Sequence, residues 1–210
     1  MRKWLVLIGV AVAGLAAVFL LVAVAVFALF TGPRQLEQYP EPAQSAYLLP
    51  WPEGVIYLCI QGNRAVVSHR GREEFAYDFV MPVGSDVCAA RAGVVSRVVQ
   101  EHDGNGRGWP NNLVLVDHGD GTTGRYLHLK RNGALVKVGD TVAQGQVIAH
   151  SGNVGNSMLP HLHFDVTRTD TRETLPITFQ DVPTDGGIPR MFKSYRSGNQ
   201  GVVPSEPVAP

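Results

Sequence analysis

Residues 151–166 read SGNVGNSMLPHLHFDV, a glycine-rich turn that runs into two histidines one residue apart. An extended chain alternates its side chains between two faces, so His161 and His163 project on one side while Leu162, Phe164 and Val166 take the core side. Two imidazoles on one face are half of a metal site. The plainer alternative is a pair of hydrogen-bonded groove histidines.

Working outward from this stretch, short apolar runs are separated by Gly, Asn and Asp: VIYLCI, FAYDFV, GVVSRVVQ, LVLVDH, TGRYLHL, QVIAHS, HFDVT and ITF. Runs of this length, rich in Val, Ile, Phe and Tyr, predict an all-β domain with antiparallel strands in a compact barrel or sandwich. No segment of the domain reads as a long amphipathic helix. His118-Gly119-Asp120-Gly121 signals a hairpin, and Val138-Gly139-Asp140-Thr141-Val142 with Gly145-Gln146 marks another turn-rich unit.

The chain has 210 residues and equal numbers of acidic and basic side chains, 18 of each. That balance gives no argument for a nucleic-acid partner. Trp4 to Phe30 is an uncharged apolar run, longer than the roughly 20 residues that cross a bilayer as a helix, so 1–30 is expected to be a single transmembrane anchor. Its length favours retention over cleavage, although Ala23-Val24-Ala25 could serve as a cut site. Arg2 and Lys3 ahead of the run favour a cytoplasmic amino terminus, with the rest of the chain on the extracytoplasmic side of the membrane. Residues 31–54, with Pro33, Pro40, Pro42, Pro50 and Pro52, read as a stalk that lets the domain work some distance from the membrane. Residues 55–195 are the folded domain and 196–210 a disordered tail. Cys59 and Cys88, the only cysteines, are expected to pair as a disulfide in an oxidising compartment; the alternative is two buried small hydrophobes.

Of the seven histidines, His128 lies in Arg125-Tyr126-Leu127-His128-Leu129, where alternation sets Tyr126 and His128 on one face and the two leucines on the other. His69 precedes a polar loop. Asp78 stands in the apolar run Phe75 to Val80, where a carboxylate needs a hydrogen-bonding or metal partner. His102, His118 and His150 read as turn-proximal or solvent-facing. The stretch DGNGRGWPNN, Asp103 to Asn112, predicts a loop beside the groove, with Trp109 covering a core edge or, alternatively, stacking on substrate.

The ordered blocks His69, Tyr77-Asp78-Phe79, Met81-Pro82-Val83-Gly84, Gly93-Val94-Val95, Tyr126-Leu127-His128-Leu129, Ser151-Gly152-Asn153-Val154-Gly155 and Pro160-His161-Leu162-His163-Phe164 resemble those of the lysostaphin-type, LytM-like zinc metallopeptidases, which cut peptide bonds in peptidoglycan. The resemblance covers about residues 55–180 and implies the LytM fold, a duplicated hybrid motif. It implies that His69, Asp78 and His163 bind one zinc per chain, with His128 and His161 as the catalytic pair. Two imidazoles and a carboxylate leave a fourth tetrahedral position open for an activated water. One of the pair would take the proton from the water; the other would stabilise the oxyanion or protonate the leaving amine. One departure is that eight residues separate His69 from Asp78, where the family commonly has three; Gly71 to Phe75 reads as a lengthened loop that returns the chain to the same place.

The implied function is a membrane-anchored zinc endopeptidase that acts on peptidoglycan stems or cross-bridges, with a regulatory protein as a possible further partner. The rival is a non-catalytic relative that activates another wall hydrolase, but such regulators lose metal-site residues and all five positions are filled here. A biotinyl or lipoyl carrier needs an attachment lysine at a hairpin, and the chain has no Met-Lys or Asp-Lys turn; a wall-binding lectin leaves the convergent histidines unexplained.

Overall fold

A computed structural model describes residues 14–24, 26, 39–65 and 67–200. The expected membrane segment and tail lie largely outside them. Residues 14–24 and 26 are helical and exposed; among the described residues no helix is long and apolar enough to cross a membrane.

The domain is built from antiparallel strands in two sheets. The larger has eight strands in the order β11-β1-β2-β10-β6-β5-β4-β8 and the smaller three in the order β3-β9-β7. The strands are β1 (Ile56–Gln61), β2 (Tyr77–Val80), β3 (Asp86–Cys88), β4 (Gly93–Val99), β5 (Leu113–Asp117), β6 (Thr122–Leu127), β7 (Leu129–Ala134), β8 (Thr141–Val142), β9 (Val147–Ser151), β10 (His161–Arg168) and β11 (Lys193–Arg196). The hairpin expected at His118 to Gly121 joins β5 to β6, with Gly119 and Gly121 at positive φ. Phe79, Phe164, Tyr126, Val114 and Val116 of the large sheet share one core with Val87, Leu129 and Ile148 of the small one.

Four expectations are corrected. The run TGRYLHL is not one strand: the chain leaves the large sheet at Leu127 and enters the small one at Leu129, turning at His128 with a φ of 63°. Such a turn breaks the period of two, so Tyr126 goes into the core, its hydroxyl accepting from Ala90 N–H at 2.8 Å, rather than sharing a face with His128. The run ITF is buried but forms no strand. Cys59 and Cys88 are both free and buried, one in each sheet, and behave as small hydrophobes. Finally, the expected stalk divides. Residues 31–38 lie outside the description, but from Tyr39 on the chain packs on the domain, with Leu49 and Trp51 fully buried in its core. Burying a tryptophan removes more apolar area from water than proline density can argue against. The far end closes on the same segment: Asn199 Nδ2 donates to Leu49 O at 2.9 Å, and Ser197 Oγ donates to Trp51 O at 2.6 Å.

Candidate metal centre

Strand β10 carries His161 and His163 on one face, with Leu162, Phe164 and Val166 fully buried on the other. On its two sides it pairs with β2 and β6, in a register that puts His163 opposite both Asp78 and Leu127. Asp78 therefore reaches the same face from the neighbouring strand. A short 3-10 turn, Gly71–Glu73, takes up the extra residues after His69 and returns the chain to β2. His69 Nε2 ends 3.3 Å from Asp78 Oδ2.

His69, Asp78 and His163 are all buried, and one ligand atom from each lies within 4.8 Å of the others. Tetrahedral zinc, with bonds of about 2.0–2.1 Å, sets its ligand atoms about 3.4 Å apart. His163 Nδ1 stands 2.9 Å from Asp78 Oδ1, so small adjustments suffice. His69 Nε2 is buried and has no hydrogen-bond partner, the state of an atom whose natural partner is a metal. The donor set fits zinc.

Tautomers make the same point. His69 Nδ1 faces Gly62 O at 2.8 Å, His128 Nδ1 faces Val154 O at 2.8 Å and His161 Nδ1 faces Leu159 O at 2.8 Å. A carbonyl only accepts, so each Nδ1 carries the hydrogen and each Nε2 keeps a lone pair. The His128 and His161 rings lie 4.5 Å apart beside the metal group, and His161 Nε2 is 3.7 Å from Asp78 Oδ1. His163 is reversed: its Nε2 meets Asp165 Oδ2 at 2.9 Å and Glu73 Oε2 at 3.3 Å, which leaves Nδ1 for the centre.

Burial, reinforced by the charges of His161 and His163, pushes His128 down to about 3. Burial likewise lowers His161, against the opposing charge of Asp78. Burial would lower His163 too, but the carboxylates of Asp165, Asp78 and Glu73 outweigh it and hold its imidazolium well above the usual histidine range. Asp78 is the converse: burial raises it, and His163 and His69 bring it well below the usual carboxylate range. Both accessory histidines thus favour the neutral form, while His163 and Asp78 favour their charged forms.

Several supporting residues escape sequence reading. Asp165 is fully buried and holds Arg125 through Nε and Nη2, both at 2.6 Å, while Arg125 Nη2 also reaches Glu73 at 3.0 Å. Glu73, His163 and Asp165 could by themselves hold a metal, but the guanidinium already supplies their positive charge. Gln61 Nε2 donates to Asp78 Oδ2 at 2.7 Å. Asn111, from the loop 103–112, accepts the His128 backbone N–H at 2.9 Å. The Asn-Asn pair closing that loop was the only local signal. Trp109, half exposed, lies over Gly104 and Gly106 of its own loop rather than over a core edge. His102, His118 and His150 lie outside the metal group, beside Glu101, Ala92 O and Asp86.

The glycine-rich turn between β9 and β10 holds His128 beside β10 through Val154 O. A Cβ on Gly152 would stand 2.5 Å from Lys130 N and 2.7 Å from His128 O, and one on Gly155 would stand 2.8 Å from the Asn111 amide carbon. Only glycine lets the turn pass so close. The resulting cleft, of about 620 Å³, is lined by the five residues together with Gln61, Asn111, Leu127 and the exposed Met158.

The profile of peptidase family M23 matches residues 72–175, a span that holds Asp78, His128, His161 and His163 and begins just after His69. The chain is 38% identical over 104 residues to peptidoglycan DD-endopeptidase ShyA of Vibrio cholerae, covering 50% of this chain and 21% of that protein. It is 35% identical over 94 residues to lysostaphin of Staphylococcus simulans, covering 45% and 18%. The chain thus spans less than a quarter of the length of these relatives. Among solved structures, the M23 metalloprotease pseudoalterin from the deep sea aligns with a TM-score of 0.51 at 19% identity, covering 73% of this chain and 100% of that one, a likeness of fold. The chain carries a peptidase family M23 domain.

Proposed function

We propose that this protein is a zinc metalloendopeptidase that hydrolyses peptide bonds of peptidoglycan, anchored in the cytoplasmic membrane with its domain on the extracytoplasmic side. The observation that carries the chemistry is the set of four buried imidazoles, each with one nitrogen pinned by a carbonyl or carboxylate; the other nitrogen of His69, His163 and His161 stands 3.3, 2.9 and 3.7 Å from Asp78, and the His128 ring lies 4.5 Å from that of His161. Relatives named for peptidoglycan and lysostaphin activity support the substrate. The anchor is supported by the apolar run Trp4 to Phe30 and by a described stretch, residues 14–24, that is helical, with Leu15 and Phe19 exposed. A helix apolar all round suits a lipid surrounding.

In this reading His69 Nε2, an Asp78 oxygen and His163 Nδ1 hold the zinc. When bound, the metal supplies a Lewis acid and brings the pKa of a water toward about 7. His128 and His161 begin neutral with Nε2 lone pairs facing the cleft, so either accepts a proton from the attacking water, and neither donates beforehand. The histidine that has taken the proton becomes a donor at Nε2, poised to stabilise the oxyanion or protonate the leaving amine. Backbone carbonyls on Nδ1 stabilise that imidazolium without moving the ring.

The test is zinc stoichiometry beside peptidoglycan digestion, with products identified by mass. Wild type should hold one zinc per chain and release cleaved peptides. Asp78→Ala should lose both, and His128→Ala should keep the metal while turnover falls about 10²- to 10⁴-fold. Turnover retained in both variants would refute the assignment.

A further inference from the structure

A second concavity, of about 300 Å³, lies on the face of the large sheet that carries the metal group, and no residue of that group lines it. Its floor follows from strand register. One row across the sheet runs His163, Leu127, Leu113; the next runs Asp165, Arg125, Leu115, Arg97. Leu113, Leu115 and Leu127 are half-buried and form an apolar floor, with Thr123 and Thr167 beyond it. Leu127 lines both this pocket and the metal cleft, so the two adjoin.

Three arginines border the pocket and differ in what they face. Arg125 is committed to Asp165 and Glu73. Arg97 and Arg172 are exposed, and among the described residues neither forms an ion pair; the charge of Arg97 acts on the fully exposed Glu101 through solvent. Arg172 sits in the turn after β10 with a φ of 59°, a left-handed conformation that a non-glycine residue adopts at a cost. An apolar floor with two uncommitted guanidinium groups at its rim suits an extended peptide that carries a carboxylate.

We propose that this pocket is a substrate subsite for a peptide carboxylate, held by Arg97 and Arg172. The proposal rests on the peptidase reading above and adds a selectivity to it. Arg97 lies three strands from β10, and strands are about 4.8 Å apart, so it stands roughly 14 Å across the sheet from β10, while Arg172 lies in the turn just after that strand. At about 3.4 Å per extended residue, a carboxylate between the two arginines lies within about four residues of the bond to be cut. Carboxylate recognition at this distance would distinguish free from amidated peptide branches.

The test uses the zinc-loaded full chain and a soluble cross-linked muropeptide with its free carboxylates intact or converted to amides. Wild type should bind and cleave the carboxylate form with about tenfold preference over the amide. In an Arg97→Gln, Arg172→Gln double variant, which should still hold one zinc per chain, that preference should collapse toward unity. Equal handling of the two forms by wild type, or a preference that survives in the variant, overturns the subsite. Calorimetric binding separates the two levels. Arginine-dependent binding of the carboxylate form without any cleavage would sink the peptidase reading and keep the subsite; cleavage without arginine-dependent selectivity would do the reverse.

Discussion

His163 shows how one side chain is prepared for a task by groups far away in sequence. Its Nε2 is fixed by Asp165, two residues on along the same strand face, and by Glu73 from the loop after His69. Carboxylates hydrogen-bonded to a metal-binding histidine set its tautomer and raise its basicity. The lengthened loop, a departure from the common family spacing, thus brings in a carboxylate of its own. Replacing Asp165 with Asn keeps the shape and removes the charge. Zinc affinity, measured by competition with a chelator, should fall about 10- to 100-fold. Unchanged affinity would mean that Asp165 serves Arg125 alone.

At the scale of elements, the decisive feature is the passage from β6 to β7. The chain changes sheets at His128, and the glycine turn after β9 closes over that corner so tightly that Gly152 admits no Cβ against backbone atoms at 2.5 to 2.7 Å. Backbone cannot rotate away as a long side chain can. Gly152→Ala should therefore destabilise the domain by about 1–3 kcal/mol, read as a lower urea midpoint, and should reduce turnover by moving His128 away from His161. An unaltered midpoint would show that the corner has room. Strands β4, β5, β6 and β10 serve differently: their register sets the rows of side chains that make the carboxylate pocket.

For the molecule as a whole, the segment from Tyr39 to Gly54 belongs to the domain. Leu49 and Trp51 are in its core, and Asp181 accepts both the Leu49 N–H at 3.0 Å and the Gly198 N–H at 2.8 Å, fastening the two ends together. Losing a buried tryptophan alone costs about 3–5 kcal/mol, against a typical total stability of about 5–15 kcal/mol. A chain beginning at Val55 should lose its cooperative thermal transition, while one beginning at Tyr39 should keep it, as followed by circular dichroism. A stable domain from Val55 onward would contradict this. The same packing bears on the proposed anchor. Only residues 31–38 then lie between the apolar run and the domain, and eight residues span at most about 29 Å. The domain would work close to the membrane rather than on a long stalk.

The all-β class, the hairpin at His118 to Gly121 and the placing of His161 and His163 on one face of a strand are legible in the chain alone, because period-two alternation and turn chemistry are local properties. The sequence also singles out Asp78, whose carboxylate stands out against apolar neighbours. The return of His69 to Asp78 across a longer loop, the sheet change at His128, the burial of Trp51 and the recruitment of Gln61, Asn111, Glu73 and Asp165 come from packing in three dimensions. Each of these depends on register and close approach between strands remote in sequence, which no local pattern records. The free state of Cys59 and Cys88 was decided there too, since each is buried in a different sheet.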